Sequence, residues 1–251
     1  MMRIDLNCDM GESYGAWRMG DDAAILEHVS SANIACGFHA GDPGTMRATV
    51  EIALAKGVAI GAHPSFPDLQ GFGRRQMTLK PGEVYDLCVY QIGALAAFAR
   101  VAGGRLHHVK AHGALSNMAA RDPALAEAVT RAARDVDPGL ISYAQAGTEL
   151  VRAAEKLGQP YASEVFADRS YLDDGQLTPR HRPGAMIEQA DAAIAQVLRM
   201  LREGRVRSIT GKDVTVRADT VCVHGDQPRA LEFARRLRAA LAREGVTVAP
   251  V

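Results

Sequence analysis

Seven short apolar runs, near residues 3–8, 32–38, 58–62, 106–110, 139–144, 161–165 and 220–224, are separated by longer stretches with helical spacing. A further short extended stretch lies near 206–209. Runs this short with a period of two read as strands, and strands separated by helices pair in parallel. The helical signals are specific. "DPGTMRATVEIALAKG" opens with Asp42 as N-cap and Pro43 at the first helical position, and closes on Lys56 and Gly57. "RDPALAEAVTRAARDVDPG" repeats that start with Asp122 and Pro123. Val84, Leu87, Cys88, Gln91 and Leu95 give residues 80–104 a helical period. "GTELVRAAEKLG" and "EQADAAIAQVLRMLREG" follow, and "QPRALEFARRLRAALAREG" places Leu231, Ala234, Leu237 and Leu241 on one face. "GDDAAILEH" reads as a plain capped helix. No Pro/Ser-rich linker or internal repeat interrupts the pattern, so the expectation is one α/β domain over residues 1–251.

The faces of these strands carry the functional signal. Ile4, Leu6 and Cys8 alternate with Asp5, Asn7 and Asp9. Val58, Ile60 and Ala62 alternate with Ala59, Gly61 and His63, and Val109 and Ala111 with His108, Lys110 and His112. Ala162 and Glu164 lead toward Asp168, and Val221 and Val223 alternate with Cys222 and His224. In "NIACGFHAGDP" the alternation of Ile34, Cys36 and Phe38 ends on His39, with Asp42 close behind. An aliphatic face under a helix and a polar face toward a shared interior make a barrel wall, and such barrels gather their sites at the C-terminal strand ends. His39, His63, His112 and His224 are therefore expected to converge. A lone strand-end histidine is more often structural. That reading is kept for His28 and His181, and for at least one of His107 and His108. Lys110 within an apolar strand needs an acidic partner, for which Asp5 and Glu164 are the candidates. Arg74 and Arg75 in "GFGRR" are either a solvated loop or a carboxylate or phosphate clamp. Residues 166–186, with "DRSYLDDGQLTPRHRPG", form a long irregular segment of the kind that is functional or mobile.

Composition removes several classes. Lys plus Arg equals Asp plus Glu at 29 each, and no basic run interleaves with aromatics, so neither nucleic acid nor an anionic membrane is an expected partner. The four cysteines are far apart and form no CxxC pair, which argues against a zinc-thiolate site or a disulfide framework and for a reducing cytoplasm. The start "MMRIDLNCDMGES" has no apolar h-region and no 18-residue apolar run is read, so no signal peptide and no membrane span are expected. No GxxxxGK[ST] occurs; "TGKDVT" at 210–215 has the GK pair without the upstream glycine or the following hydroxyl.

Six blocks, "DLNCDMGESYG", "NIACGFHAGDP", "GAHPSFPDLQGFGRR", "HVKAHGALSN", "EVFADRSY" and "HGD", resemble the LamB/YcsF family in order from residue 3 to about residue 226. In the fourth, Ala111 stands where the family has proline and Ser116 where it has tyrosine, while Lys110, His112, Gly113 and Asn117 persist. The resemblance implies an irregular TIM-like (β/α) barrel of about seven strands, close to glycoside hydrolase and deacetylase barrels. It also implies a role as the A subunit of an ATP-dependent 5-oxoprolinase, with subunits B and C as partners, opening 5-oxo-L-proline to L-glutamate as ATP becomes ADP and phosphate. A five-membered lactam is a poor electrophile. ATP supplies the driving force, by phosphorylating the amide oxygen, before water attacks. That chemistry needs a base, donors for negative oxygens and cations for phosphate.

The roles expected on this basis are as follows. Asp5 or Glu12 orients or deprotonates water. His39, His63 and His112 act as acid–base groups, or as ligands if a divalent ion is present. Lys110 and Arg74 hold carboxylate or phosphate oxygens, and Glu164, Asp168 and His224 complete the wall. Asn7, Asp42, Asn117 and Arg169 are further substrate contacts. ATP is a co-substrate, with Mg²⁺ as its companion ion, and without a Walker motif its contacts use another arrangement or lie mostly in the partner subunits. Two other readings stay open. One is a stand-alone metal-dependent deacetylase or amidohydrolase. The other is a non-catalytic lactam- or sugar-binding subunit.

Overall fold

The computed structural model describes residues 2–224 and 230–251. The strands β1 (Arg3–Met10), β2 (Ser31–Ala35), β3 (Ala59–His63), β4 (His108–Val109), β5 (Ile141–Gln145) and β6 (Tyr161–Phe166) lie side by side in chain order, all parallel. A small antiparallel hairpin of β7 (Arg205–Arg207) and β8 (Asp213–Thr215) stands apart from them. β9 (Thr220–Val223) then pairs with both β6 and β1, which closes a seven-stranded parallel barrel. β10 (Thr247–Val248) adds only to the first residues of β1, at Arg3 and Ile4.

The helices α1 (Asp22–Ile25), α2 (Pro43–Ala55), α3 (Pro81–Val101), α4 (Gly113–Ala119), α5 (Pro123–Val136), α6 (Glu149–Leu157), α7 (Ala190–Glu203) and α8 (Ala230–Arg243) lie in the connections between the strands, α4 and α5 both between β4 and β5. The outward strand residues Leu6, Cys8, Ile34, Ile60, Val165 and Val221 are fully buried beside helix residues such as Val50, Ile92, Leu95 and Leu237, in one hydrophobic core. The sequence-derived caps form: the side chain of Asp42 accepts from the Thr45 amide, and that of Asp122 from the Ala124 and Leu125 amides.

Three local expectations are corrected, while the extended stretch near 206–209 is found as β7. The run 32–38 leaves the sheet at Ala35, because the Gly37 amide, at φ 89°, donates to the Ala40 carbonyl and turns the chain. His39 therefore arrives from a turn rather than from a strand end. The stretch near 206–209 belongs to the outlying hairpin, which also carries the GK pair away from the barrel wall. α3 is long and apolar enough to cross a bilayer by length and composition, contrary to the reading that no such segment exists. Here it buries Val84, Cys88, Gln91, Ile92, Leu95 and Ala99 as one of the barrel's outer helices. Residues 227–229 of the last helical pattern, and Gly225 and Asp226 of "HGD", lie outside the described residues.

The lower barrel interior is polar and tightly bonded. Asp5 accepts from the hydroxyls of Ser30 (2.6 Å), Ser31 (2.7 Å) and Thr220 (2.5 Å). Asn7 donates to Glu164 (3.1 Å) and Thr220 (2.7 Å) and accepts from Asn33 (2.7 Å). The His108 ring stacks on Tyr143 at 4.0 Å between centroids, and its Nε2 lies 2.8 Å from the Asn33 carbonyl oxygen. Both Asn33 amide hydrogens go to Asn7 and Asp9, so that oxygen is the acceptor and His108 donates. Gly61 makes this layer fit: a Cβ there would lie closer than 3.0 Å to three atoms of the His108 ring.

Candidate active site

The C-terminal strand ends bring acids, imidazoles and a lysine to one mouth. β1 delivers Asp9 and, just beyond it, Glu12. β3 ends on His63. β4 runs directly into Lys110 and His112, the latter at the N-cap of α4. β6 supplies Glu164, and His224 follows β9. A cavity of about 740 Å³ opens above them, lined among others by Asp9, His63, Lys110, His112, Arg169 and His224.

Lys110 is the hub. Its Nζ lies 2.9 Å from both Asp9 Oδ1 and Glu164 Oε1, 3.1 Å from Asn7 Oδ1 and 3.0 Å from Cys222 Sγ. Burial works against its charge, but chiefly Asp9, with Glu164, outweighs it and holds the ammonium pKa well above the ordinary value. Burial likewise opposes ionisation of Asp9, yet His63 and Lys110 outweigh it and hold this carboxyl well below its usual range. Glu164 goes the other way: burial raises its pKa in spite of Lys110. Lys110 and Asp9 thus face each other as an ionised pair at the mouth. Lys110 has three N–H groups, and all are spent on these neighbours. In this arrangement the ammonium is turned to its neighbours rather than to the cavity's substrate space. Its partners are Glu164, as expected, and Asp9 instead of Asp5.

Three histidines and Glu12 form the adjoining wall. His63 Nδ1 lies 2.7 Å from the Lys110 carbonyl, and His112 Nε2 lies 2.8 Å from the Phe72 carbonyl. His63 Nε2 and His112 Nδ1 face each other at 3.0 Å. The His39 ring stacks on His112 with centroids 3.9 Å apart, and its Nε2 is 3.8 Å from Glu12 Oε1. Burial, reinforced by the neighbouring imidazoles, pushes His39 and His112 well below the usual histidine pKa, so both are neutral. Gly73 admits this arrangement. It has φ 64°, and a side chain there would press on Ser65, His39 and His112.

The long segment after β6 covers the other side. Asp168 accepts from His224 Nδ1 (2.9 Å), and Arg180 donates to His224 Nε2 (3.1 Å), which fixes the ring's tautomer. Burial opposes ionisation of Asp168, but His224 outweighs it and lowers its pKa. Arg169 is buried; its Nη2 donates to the Thr178 carbonyl, and its Nε has no hydrogen-bond partner among the described residues. Burial, then Arg180, pulls its pKa down to about 10, which still leaves it charged at neutral pH.

The structure thus brings together Glu12, His39, His63, Lys110, His112, Glu164, Asp168, Arg169 and His224. Arg74 and Asn117 line the cavity as well. Three other candidates are placed elsewhere. Asp5 and Asn7 belong to the satisfied layer below the mouth. Asp42 spends one carboxylate oxygen on the Thr45 amide and the other on the Gly15 amide (both 2.8 Å), so it caps α2 and tethers the loop after β1. Asp9, Arg180 and Phe72 had no assigned role. Only Asp9 carried a usable signal, as the last polar residue of its strand.

The LamB/YcsF family model matches residues 4–251. The A subunit of 5-oxoprolinase from Bordetella pertussis is 64% identical over 245 residues, covering 98% of this chain and 97% of that one. The crystal structure of the lactam utilization protein from Thermus thermophilus is 50% identical, with a TM-score of 0.95 and 100% of both chains covered. A family 4 carbohydrate esterase from Streptomyces lividans, at 14% identity and a TM-score of 0.50 over 98% of this chain and 91% of that one, shares the fold alone. Matched over nearly its whole length, with the barrel that the resemblance implies, the chain belongs to the LamB/YcsF family.

Proposed function

We propose that this chain, as a single barrel domain in the cytoplasm, is the lactam-opening A subunit of an ATP-dependent 5-oxoprolinase that also contains B and C subunits. The observation that carries the reading is the ionised Lys110–Asp9 pair beside a histidine wall, facing a buried arginine across one cavity. Asp9, held ionised and 3.4 Å from His63 Nε2, is the base that takes a proton from the attacking water. Arg169 receives the carboxylate of 5-oxoproline through its unspent Nε–H, with Arg180 and Arg74 adding positive charge to the cavity. Asn117 at the rim is a further substrate contact. The amide carbon then lies between the carboxylate anchor and Asp9. Activation of its oxygen by ATP, with Mg²⁺, belongs to the assembled enzyme, since the GK pair sits on the outlying hairpin. The four cysteines are free and buried, which fits a reducing compartment.

The test is release of glutamate and ADP from 5-oxoproline by this chain alone and together with its two proposed partners. Coupled release only from the assembly is expected. Hydrolysis by this chain without ATP would instead favour a stand-alone amidohydrolase, and tight binding of 5-oxoproline with no turnover in either setting a lactam-binding subunit.

A further inference from the structure

The histidine wall has a proton-counting problem. A carbonyl oxygen only accepts, so His63 carries its proton on Nδ1, toward Lys110, and His112 carries its own on Nε2, toward Phe72. This leaves the remaining nitrogens, His63 Nε2 and His112 Nδ1, aimed at each other across 3.0 Å. Two such nitrogens so close need a positive centre between or beside them, a shared proton or a metal ion. His39 adds a second anomaly: it is 1% exposed, and neither ring nitrogen has a hydrogen-bond partner among the described residues. Burying a polar ring with both nitrogens idle is costly. The Glu12 carboxylate is 3.8 Å from His39 Nε2 and 3.9 Å from His112 Nδ1.

We propose that Glu12, His39, His63 and His112 form a binding site for one late first-row divalent metal ion, with zinc preferred. Bonds of about 2.0–2.1 Å in a tetrahedron separate ligand atoms by roughly 3.3 Å, and one ligand atom from each of the four residues lies within 4.8 Å of all the others. Imidazole nitrogens with one carboxylate select zinc and its neighbours over magnesium or calcium, which prefer all-oxygen shells. The backbone carbonyls of Lys110 and Phe72 are the outer partners that orient ligating rings. Phe72 holds its carbonyl toward His112 from the left-handed region, at φ 54°, which a bulky residue adopts only when its surroundings impose it. Its loop is imposed by Asp68, which accepts from the amides of Gly71 (2.9 Å) and Arg75 (3.1 Å) and pairs with the Arg75 guanidinium.

The neighbouring trio of Asp9, Cys222 and His224 is set against a cation. The Lys110 ammonium already contacts Asp9 and Cys222, and Arg180 occupies His224 Nε2. The metal site follows from the donor geometry; its use in lactam opening rests on the proposed function.

The experiment uses the full-length chain, stripped with a chelator and titrated with Co²⁺ and then Zn²⁺, following visible absorption and heat. The expected result is saturable uptake of one Co²⁺ per chain, with the visible bands of a four- or five-coordinate ion that zinc abolishes. His63→Gln and His112→Gln should each weaken uptake at least 10-fold while leaving circular dichroism unchanged, and zinc should raise the melting temperature of the unaltered chain. Absence of saturable cobalt or zinc uptake by the folded wild-type chain would overturn the proposal, as would uptake unaffected in both folded variants. No turnover is measured, so failure of the 5-oxoprolinase reading leaves this outcome intact.

Discussion

Lys110→Met is expected to cut kcat in the assembled enzyme by about 10²–10⁴, the span that a correctly held general base is worth, while KM for 5-oxoproline stays near its original value. The split follows from the hydrogen bonds of the lysine. Its donors go to Asp9, Glu164, Asn7 and Cys222, with none left for substrate. Removing it frees Asp9 to move and to take up a proton. A lysine that gripped the substrate carboxylate would raise KM instead. Stability falls too, because two carboxylates lose the charge they share while still buried, a loss of about 3–5 kcal/mol. Adding Glu164→Gln to Lys110→Met should recover part of the stability, read by urea denaturation, and none of the kcat. Recovery of both would mean that the lysine is merely structural.

Gly61→Ala is expected to be the most damaging single methyl in the barrel. The φ of this glycine needs no special freedom; its space is already taken by the His108 ring. That ring is held by stacking on Tyr143 and by its bond to Asn33, and Asn33 in turn donates to Asp9 (2.8 Å). The added methyl therefore either pushes the ring out of its layer or bends β3 just before His63. Overpacking of a filled interior costs about 1–3 kcal/mol, and sometimes more; with no soft neighbour here, the upper end or beyond is expected in chemical denaturation. The same substitution in a His108→Ala background should cost less than about 1 kcal/mol, so that the two changes are strongly non-additive. Equal costs in both backgrounds would remove the His108 explanation.

Much of the barrel was legible because a period of two separates Leu6 from Asn7, Ile60 from Gly61 and Val109 from Lys110 as plainly in the sequence as in the sheet. Alternation cannot say how deep each polar residue sits. Asp5, Asn7 and Asp9 share a face, and which of them reaches the mouth depends on the stagger of the closed barrel, a property of all seven strands together. The strand-end rule, applied strictly to β1, would have chosen Asp9 over Asp5. His39 was found for the wrong local reason, since a turn and not a strand presents it. Phe72 and Arg180 gave no signal: loops have no period, and the roles of these residues come from a carbonyl direction and a long reach. β10, two residues long, is too short for any pattern to register.

The central claim is that this chain's barrel mouth, through an ionised Asp9, carries out the attack on the lactam carbon. Asp9→Asn keeps the shape of the side chain and removes its basicity, so it is the most direct test, read as glutamate formed from 5-oxoproline by the reconstituted enzyme. A fall in kcat of about 10²–10⁴, with 5-oxoproline binding and the fold unchanged, is the predicted result; turnover close to that of the unaltered enzyme would contradict it.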